Sequence, residues 1–268
     1  MTDWAAEWRK GWLQLEDESV AEWWGRTHDK YYHRWVMNSD YPVRVLANAL
    51  PYIGKSSSVL EVGAGTGGFT VHLGRAAGRV TAVEPAERMA DTLEARLAGE
   101  RLSNVRVVRA YIENAEVEPH DVVFGSHCFY DMPIEVAIPR IIALAKERVI
   151  LATTLGDKHM TVRAGLKHRY RPCAVSYVVL YNLIHDLGYL PSVEFAEVQG
   201  QYWYASKDEF FEHWESRFHG TREEFERSPG CYLVPVDDGY TLPFGYVTAV
   251  ISFAPVRRAG SWYGPRPQ

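Results

Sequence analysis

Cysteine is scarce in this chain. Three stand far apart, Cys128, Cys173 and Cys231, with no CxxC pair. They outline neither a disulfide framework nor a zinc site, and so sparse a set suits a reducing, cytoplasmic setting. Long apolar runs are also missing. Nothing approaches the roughly twenty consecutive apolar residues of a membrane-spanning helix. The opening MTDWAAEWRKGW has early acids and no apolar core segment, so it does not read as a signal peptide. No grouping of His, Cys and acids has metal-ligand spacing, and no metal is expected. Positive charge is not in excess either. The 29 Lys and Arg against 34 Asp and Glu leave a formal net charge of -5, which argues against a dedicated nucleic-acid binder though not against a local basic patch.

Aromatic residues are abundant instead, with nine Trp and sixteen Tyr. Such side chains serve as core or as pocket lining. Trp4, Trp8, Trp12 and Leu15 recur every three to four residues, which makes one apolar stripe on a helix. Packing is the favoured use of that stripe. A helix is expected after the DYP at 40–42, with Pro42 in its first turn and Val43, Leu46 and Leu50 facing inward.

The pattern then changes. SSVLEV, RVTAVE, VRVVRA, DVVFGS and RVILATT read as five short strands. Between them lie the helical segments FTVHLGRAA, AERMADTLEARLAG and IEVAIPRIIALAKE, the last with Pro139 as an expected kink or restart. Further on, AVSYVVLYNLIHDLG reads as a helix capped by Gly188 and SVEFAEV as a sixth strand. Two more helices are marked by capping-box spacing, Ser206 with Glu209 and Thr221 with Glu224, before GYVTAVISF makes a seventh strand. His72, His185 and His213 fall in helical patterns and are expected at the surface or as caps. Strands alternating with helices of this length build a doubly wound sheet. The expected fold is therefore α/β, with a seven-stranded, mostly parallel sheet. The expected organisation is a helical cap over 1–41, a sheet domain over 42–254 with an insertion at about 157–230, and a tail over 255–268.

The most informative segment is VLEVGAGTGGFT, residues 59–70. A strand there delivers the chain to a glycine turn from which the next helix starts, so backbone can approach a ligand closely. An acid, Glu61, precedes the first glycine by two residues, and a second acid, Glu84, ends the next strand. A carboxylate in that second position can accept hydrogen bonds from both hydroxyls of a ribose.

With these two acids and their glycines, the chain resembles class I S-adenosylmethionine-dependent methyltransferases over roughly 42–254. EVGAGTG matches that family's acid-x-G-x-G-x-G motif. The resemblance implies a Rossmann-like sheet, S-adenosylmethionine as cofactor and S-adenosylhomocysteine as product. It implies that Glu61, Gly63, Ala64 and Gly65 meet the methionine end, that Glu84 and Pro85 hold the ribose, and that Met89 lies near the adenine. Many members carry an Asp after the third strand, for the adenine amine. Here Tyr111 stands at that position, so Ile112 is expected against the adenine face and Glu113 or Asn114 at the amine. After the fourth strand, GSHCFYDMP places Ser126 at the cofactor and His127, Tyr130 and Asp131 near the reacting methyl, with crevice lining for His127 and Tyr130 and helix capping for Asp131 as their plainer use. Members also often lay N-terminal helices over the crevice. HDKYYHRW would then bring Tyr31 and Tyr32 to the cofactor and His33 to the acceptor.

The acceptor is expected to be a small molecule. The segment 157–172 gathers Lys158, Arg163, Lys167, Arg169 and Arg171 with His159 and His168 after the fifth strand. Arg169 and Arg171 there could hold an anionic acceptor, since guanidinium groups grip planar oxyanions with two hydrogen bonds; a solvated loop is the plainer use. Methylation of RNA adenine and a non-catalytic, cofactor-binding partner subunit stand as alternatives, a nicotinamide enzyme stands as a rival on the glycine motif, and a homodimer is left open.

Overall fold

A computed structural model of the protein describes residues 2–9, 21–22, 33, 36–129, 132–155, 176–218, 221–227 and 233–256. The centre of its sheet is made of strands that can be buried on both faces. β1 (Ser58–Val62) is buried along its whole length, as the interior of a parallel sheet requires. β2 (Arg79–Val83) and β3 (Val105–Val108) lie to one side of it, and β4 (His120–Ser126) and β5 (Ala145–Thr154) to the other, all parallel. The chain then returns in the opposite sense. β8 (Gly239–Phe253) runs antiparallel between β5 and β6 (Ser192–Tyr204), which gives the order β3-β2-β1-β4-β5-β8-β6. That path has the seven strands the sequence predicts. An eighth short strand, β7 (Val234–Val236), pairs with β8 alone and is an addition to the expectation.

Side-chain alternation along the strands divides the core in two. Leu60, Val62, Val123, Val149, Leu151 and Ile251 point to one face. There they meet α5 (Ile134–Ala143) and α6 (Tyr177–Asp186). Val59, Val122, Phe124, Ile150, Ala152 and Val250 point to the other face. That face is covered by α2 (Tyr41–Leu46) and α3 (Thr70–Ala76). α4 (Glu87–Gly99) brings Leu93 and Leu97 onto Ala64 and Ala82. Beyond these layers, α7 (Lys207–Phe218) and α8 (Arg222–Arg227) cluster Phe210, Phe211 and Phe225 on the outer end of β6 and β8.

The N-terminal stripe packs. α1 (Trp4–Arg9) buries Trp8 completely in the first core, where its indole N–H donates to the Phe129 carbonyl at 3.0 Å. Trp4 donates to Asp186 at 2.9 Å at the end of α6. Trp12 and Leu15 lie outside the described residues.

Several local expectations are corrected. In and after α2 the buried residues are Tyr41, Pro42, Val45, Leu46 and Ala49, while Val43 and Leu50 are exposed. The i, i+4 row through Tyr41, Val45 and Ala49 is the one that faces the sheet. Pro139 does not restart the helix, since α5 runs through it. His213 is buried rather than a surface residue, and its Nδ1 meets the Tyr204 hydroxyl at 2.8 Å. β6 continues past Val198 to Tyr204, through Gly200. A Cβ on Gly200 would lie 2.6 Å from Ser39 Cβ and 2.9 Å from the Asn38 carbonyl oxygen, so its bareness lets residues 38–40 cross the strand. Asp40 N–H and Gln201 N–H donate across that crossing at 2.9 and 3.0 Å. The crossing fixes where α2 begins, and hence where Tyr41 points. Elsewhere the punctuation reads as expected: Gly188 ends α6 at φ +93°, and Ser206 accepts from Glu209 N–H at 3.1 Å.

Candidate active site

At the carboxyl end of β1 the chain turns through Gly63, Gly65 and Gly67 at φ +69°, +57° and +84°, a region that side chains other than glycine occupy at a cost. Gly63 also has no room to spare, because a Cβ there would lie 2.2 Å from Cys128 Cβ in the loop after β4. The turn's amides are used within the protein. Gly63 and Ala64 donate to the Val83 carbonyl at 2.9 and 3.1 Å, and Gly65 donates to Glu84 Oε2 at 2.7 Å. Ala86 N–H holds the other Glu84 oxygen at 2.8 Å. Two amides thus fix the orientation of the Glu84 carboxylate beside the turn. Beyond it, Pro85 is half-buried and Met89 is buried on α4.

Glu61 is the electrostatic anomaly of the turn. It sits in β1 with 1% exposure, and its Oε2 has no hydrogen-bond partner among the described residues. Burial pushes its carboxyl up to about 8, and the Glu84 charge adds to the rise. The Thr70 hydroxyl and the Arg96 guanidinium oppose it. Arg96 reaches the turn from α4 and donates to the Gly67 carbonyl at 2.9 Å. A buried acid without a partner costs several kcal/mol less once a cation arrives beside it. His33, expected near the acceptor, meets the Thr66 hydroxyl at 3.2 Å on this same turn. Burial, and then the Arg96 charge, hold its imidazole below the ordinary value.

After β3 the chain makes a turn closed by Asn114 N–H on the Tyr111 carbonyl at 3.0 Å. Tyr111 is half-buried, Ile112 is buried in the first core and Asn114 is exposed. Glu113 has a buried Oε2 without a partner among the described residues, which makes it the better placed of the two acceptors considered for an amine.

After β4, Ser126 is buried and its hydroxyl shares a short hydrogen bond with Tyr41. His127 follows at φ +51°. For a residue with a Cβ this is a strained backbone of about 1–3 kcal/mol, a kind of strain that collects at functional sites. The strain is held by its N–H, which donates to the Ala152 carbonyl at 2.9 Å, and by rings of Tyr41 and Tyr246 at 5.7 and 6.2 Å. Nε2 meets the Thr248 hydroxyl at 2.8 Å. Burial lowers the imidazole to about 4, so it is neutral at physiological pH. Tyr130, Asp131, Tyr31, Tyr32, Arg169, Arg171 and the basic segment 157–172 lie outside the described residues.

Tyr41, Thr153 and Thr248 join this end of the sheet although the residue pattern did not single them out. A signal existed for Thr248, a hydroxyl inside the otherwise apolar GYVTAVISF, and none for Thr153 or Tyr41 beyond their element.

The fold, and the sequence of its first half, have counterparts elsewhere. Residues 59–148 match the family model of a methyltransferase domain. The chain carries a class I S-adenosylmethionine-dependent methyltransferase domain. No curated protein matches the chain. Among solved structures, the YcgJ protein of Bacillus subtilis is similar to the methyltransferase with a TM-score of 0.57 at 13% identity, covering 81% of this chain and 100% of that one. A Bacillus halodurans C-125 protein proposed to be a methyltransferase gives 0.55 at 14% identity, over 80% of this chain and 98% of that one. Magnesium protoporphyrin IX methyltransferase of Synechocystis PCC 6803, solved with the cofactor bound, gives 0.45 at 12% identity, over 92% and 89%.

S-adenosylmethionine is the cofactor of the methyltransferase, and its chemistry complements the residues present. Besides its carboxylate and the adenine ring nitrogens, it brings an ammonium, a sulfonium, two ribose hydroxyls and an adenine amine, which are cations or donors. In β1, after β2 and after β3 lie three acids, Glu61, Glu84 and Glu113, of which Glu61 and Glu113 each hold an oxygen without a partner among the described residues. The nicotinamide reading of the glycine motif falls away.

Proposed function

We propose that the methyltransferase moves a methyl group to a small-molecule acceptor, with the acceptor seated beside His127. The observation that carries this reading is the carboxyl end of the sheet, where Glu61 and Glu84 stand at the glycine turn, Glu113 follows β3, and His127 stands at a strained backbone angle just after β4. In an open α/β sheet this end is the ligand crevice. Glu84 receives the ribose hydroxyls, Glu61 the ammonium and Glu113 the adenine amine, with Met89 and Ile112 against the adenine. When bound, the cofactor supplies a sulfonium methyl that a nucleophile takes by in-line displacement. The chain's main task is then alignment, which is worth several kcal/mol. Tyr41, Ser126 and His127 form one wall for it.

Residues 1–41 act as a cover over the crevice. Support comes from Trp8, which is anchored to the carbonyl of Phe129, two residues after His127. The acceptor carries a carboxylate or phosphate, a narrower reading supported by the five Lys and Arg of segment 157–172. Radiolabelled S-adenosylmethionine incubated with the protein and pooled cell metabolites, or with RNA, tests the whole. Label is expected in a small anionic product. Label in RNA overturns the acceptor class, and no label in either pool overturns turnover.

A further inference from the structure

We propose that residues 36–41 brace the glycine turn against the wall beside the acceptor, with Gly68 and Gly200 as the two bare seats that position them. The inference deepens the reading just given and, for its catalytic part, rests on the acceptor lying beside His127.

Space, and not conformation, makes both positions glycine. Neither has a positive φ, unlike Gly63, Gly65 and Gly67. Gly68 also lies outside the acid-x-G-x-G-x-G motif, which ends at Gly67. A Cβ on Gly68 would lie 2.5 Å from Cγ1 of the buried Val36. A Cβ on Gly200 would lie 2.6 Å from both Ser39 Cβ and Phe244 Cζ. Approaches this close force one partner to move. Val36 and Ser39 belong to one short segment, in which the Ser39 hydroxyl donates to the Val36 carbonyl at 3.3 Å. That segment therefore rests on two glycines, one on the cofactor turn and one on β6.

Further contacts fix each seat. On the turn, His33 meets the Thr66 hydroxyl two positions before Gly68. On β6, Gln199 N–H donates to Asp40 Oδ1 at 2.7 Å, beside the two backbone bonds of the crossing. Tyr41 comes next and is completely buried. Its ring stands edge-on to Phe69, the residue after Gly68, with centroids 4.8 Å apart, and edge-on to His127 at 5.7 Å. Its hydroxyl meets Ser126. The brace thus starts on the cofactor turn and ends on the acceptor wall.

Of the two partners at Gly68, Val36 is the one that yields to added bulk. The turn is tied down by the Val83 carbonyl, by Glu84 and by Arg96 on the Gly67 carbonyl. Moving Val36 moves Tyr41, and with it the wall that aligns the acceptor. Misplacement by about 1 Å can cost roughly a hundredfold in rate. Gly68, Gly200 and Val36 are positioning residues, acting through Tyr41.

The test reads Tyr41 before it reads the reaction. Full-length, cofactor-free protein with ring-labelled tyrosine is examined by NMR, and the Tyr41 signal is assigned by its loss in Tyr41→Phe. Gly68→Ala is expected to shift that signal, and Val36→Ala added to it to bring the signal back. Gly200→Ala is expected to shift it as well. A Tyr41 signal unmoved by both glycine replacements overturns the brace, as does a shift in Gly68→Ala that Val36→Ala leaves in place. If Gly68→Ala does not fold, recovery of folding with Val36→Ala upholds the seat, and no recovery overturns it. Methyl label passed from radiolabelled S-adenosylmethionine to pooled cell metabolites should fall about tenfold in Gly200→Ala, with S-adenosylhomocysteine affinity by calorimetry within about twofold of the unaltered protein. An affinity that falls as far as the labelling overturns the positioning role. A Tyr41 signal that moves without any change in labelling leaves the brace standing and overturns the reading of the acceptor beside His127.

Discussion

The two ends of the sheet differ in how they treat buried polar groups. At the amino end, a concavity of about 810 Å³ is lined by Arg79, Thr81, Asn104, Arg106, His120 and Arg140 among others. Its polar groups close on one another. His120 donates from Nδ1 to the Glu118 carbonyl at 2.6 Å and accepts at Nε2 from Thr81 at 2.9 Å. Asp121 accepts from both the amide and the hydroxyl of Ser58, at 2.7 and 2.8 Å. Asn104 caps the end of α3 through the carbonyls of Gly74 and Ala77. Arg140 Nε and, near the start of β5, Arg148 Nε are the exceptions at this end. At the carboxyl end, Glu61 Oε2, Glu113 Oε2 and Thr153 Oγ1 are all buried without partners among the described residues. A buried polar group left unmatched costs about 1–3 kcal/mol. A fold retains several together where a ligand completes them. Unmatched polarity, rather than the size of a hollow, is what sets the two ends apart.

The largest effect that would sharpen this contrast is on the glycine turn. Gly63→Ala combines a positive φ with a 2.2 Å approach to Cys128 Cβ, and should cost about 3 kcal/mol or more in denaturant unfolding. Adding Cys128→Gly should recover the part due to the clash and leave the part due to φ. Equal losses with and without Cys128 would mean that backbone conformation alone makes the glycine necessary.

Replacing His127 comes next. His127→Ala should lower turnover about a hundredfold, while S-adenosylhomocysteine affinity by calorimetry stays near that of the unaltered protein. A fall in affinity as large as the fall in rate would make His127 part of the cofactor wall instead.

Glu61→Gln should weaken S-adenosylmethionine binding by about 2 kcal/mol, roughly thirtyfold, since it removes the charged partner of the ammonium. The folded carboxyl, at about 8, lies above its ordinary 4.5. Its contribution therefore favours folding below 4.5 and is lost as pH rises through 8. The variant's melting temperature should thus fall less than the parent's between pH 5 and pH 9. Near neutral pH, binding to the parent should release a proton, which calorimetry in buffers of different ionisation enthalpy detects. An identical proton release from Glu61→Gln would assign it to another group.

The smallest effect is at the opposite end. Thr81→Val leaves His120 Nε2 without its donor and should cost about 1 kcal/mol of stability with no change in cofactor affinity. Coupling between Thr81 and cofactor binding would break the contrast between the two ends.

Much of this was legible in the residues, and for identifiable reasons. The parallel strands are short apolar runs flanked by turn residues, and burial on both faces writes itself into sequence as such runs. The glycine turn and its two acids were legible because backbone conformation and carboxylate chemistry are properties of single positions. β7 was not, since VPV has too few residues to show a period, and the outer half of β6 was hidden by Gly200, which reads as a break until the chain segment crossing it is seen. Val43 and Leu50 misled because a short helix offers two plausible apolar rows, and the sheet chooses between them.

The sequence by itself determined the α/β order, the cofactor turn, and which acids stand at the ends of β1 and β2, because these depend on local conformation and on spacing along the chain. The tertiary structure alone decided that Tyr41, Ser126, His127, Thr153 and Thr248, drawn from α2 and three strands, meet at one point. No local pattern could reveal that meeting, because these residues lie far apart in the chain and only the order of the strands brings them side by side.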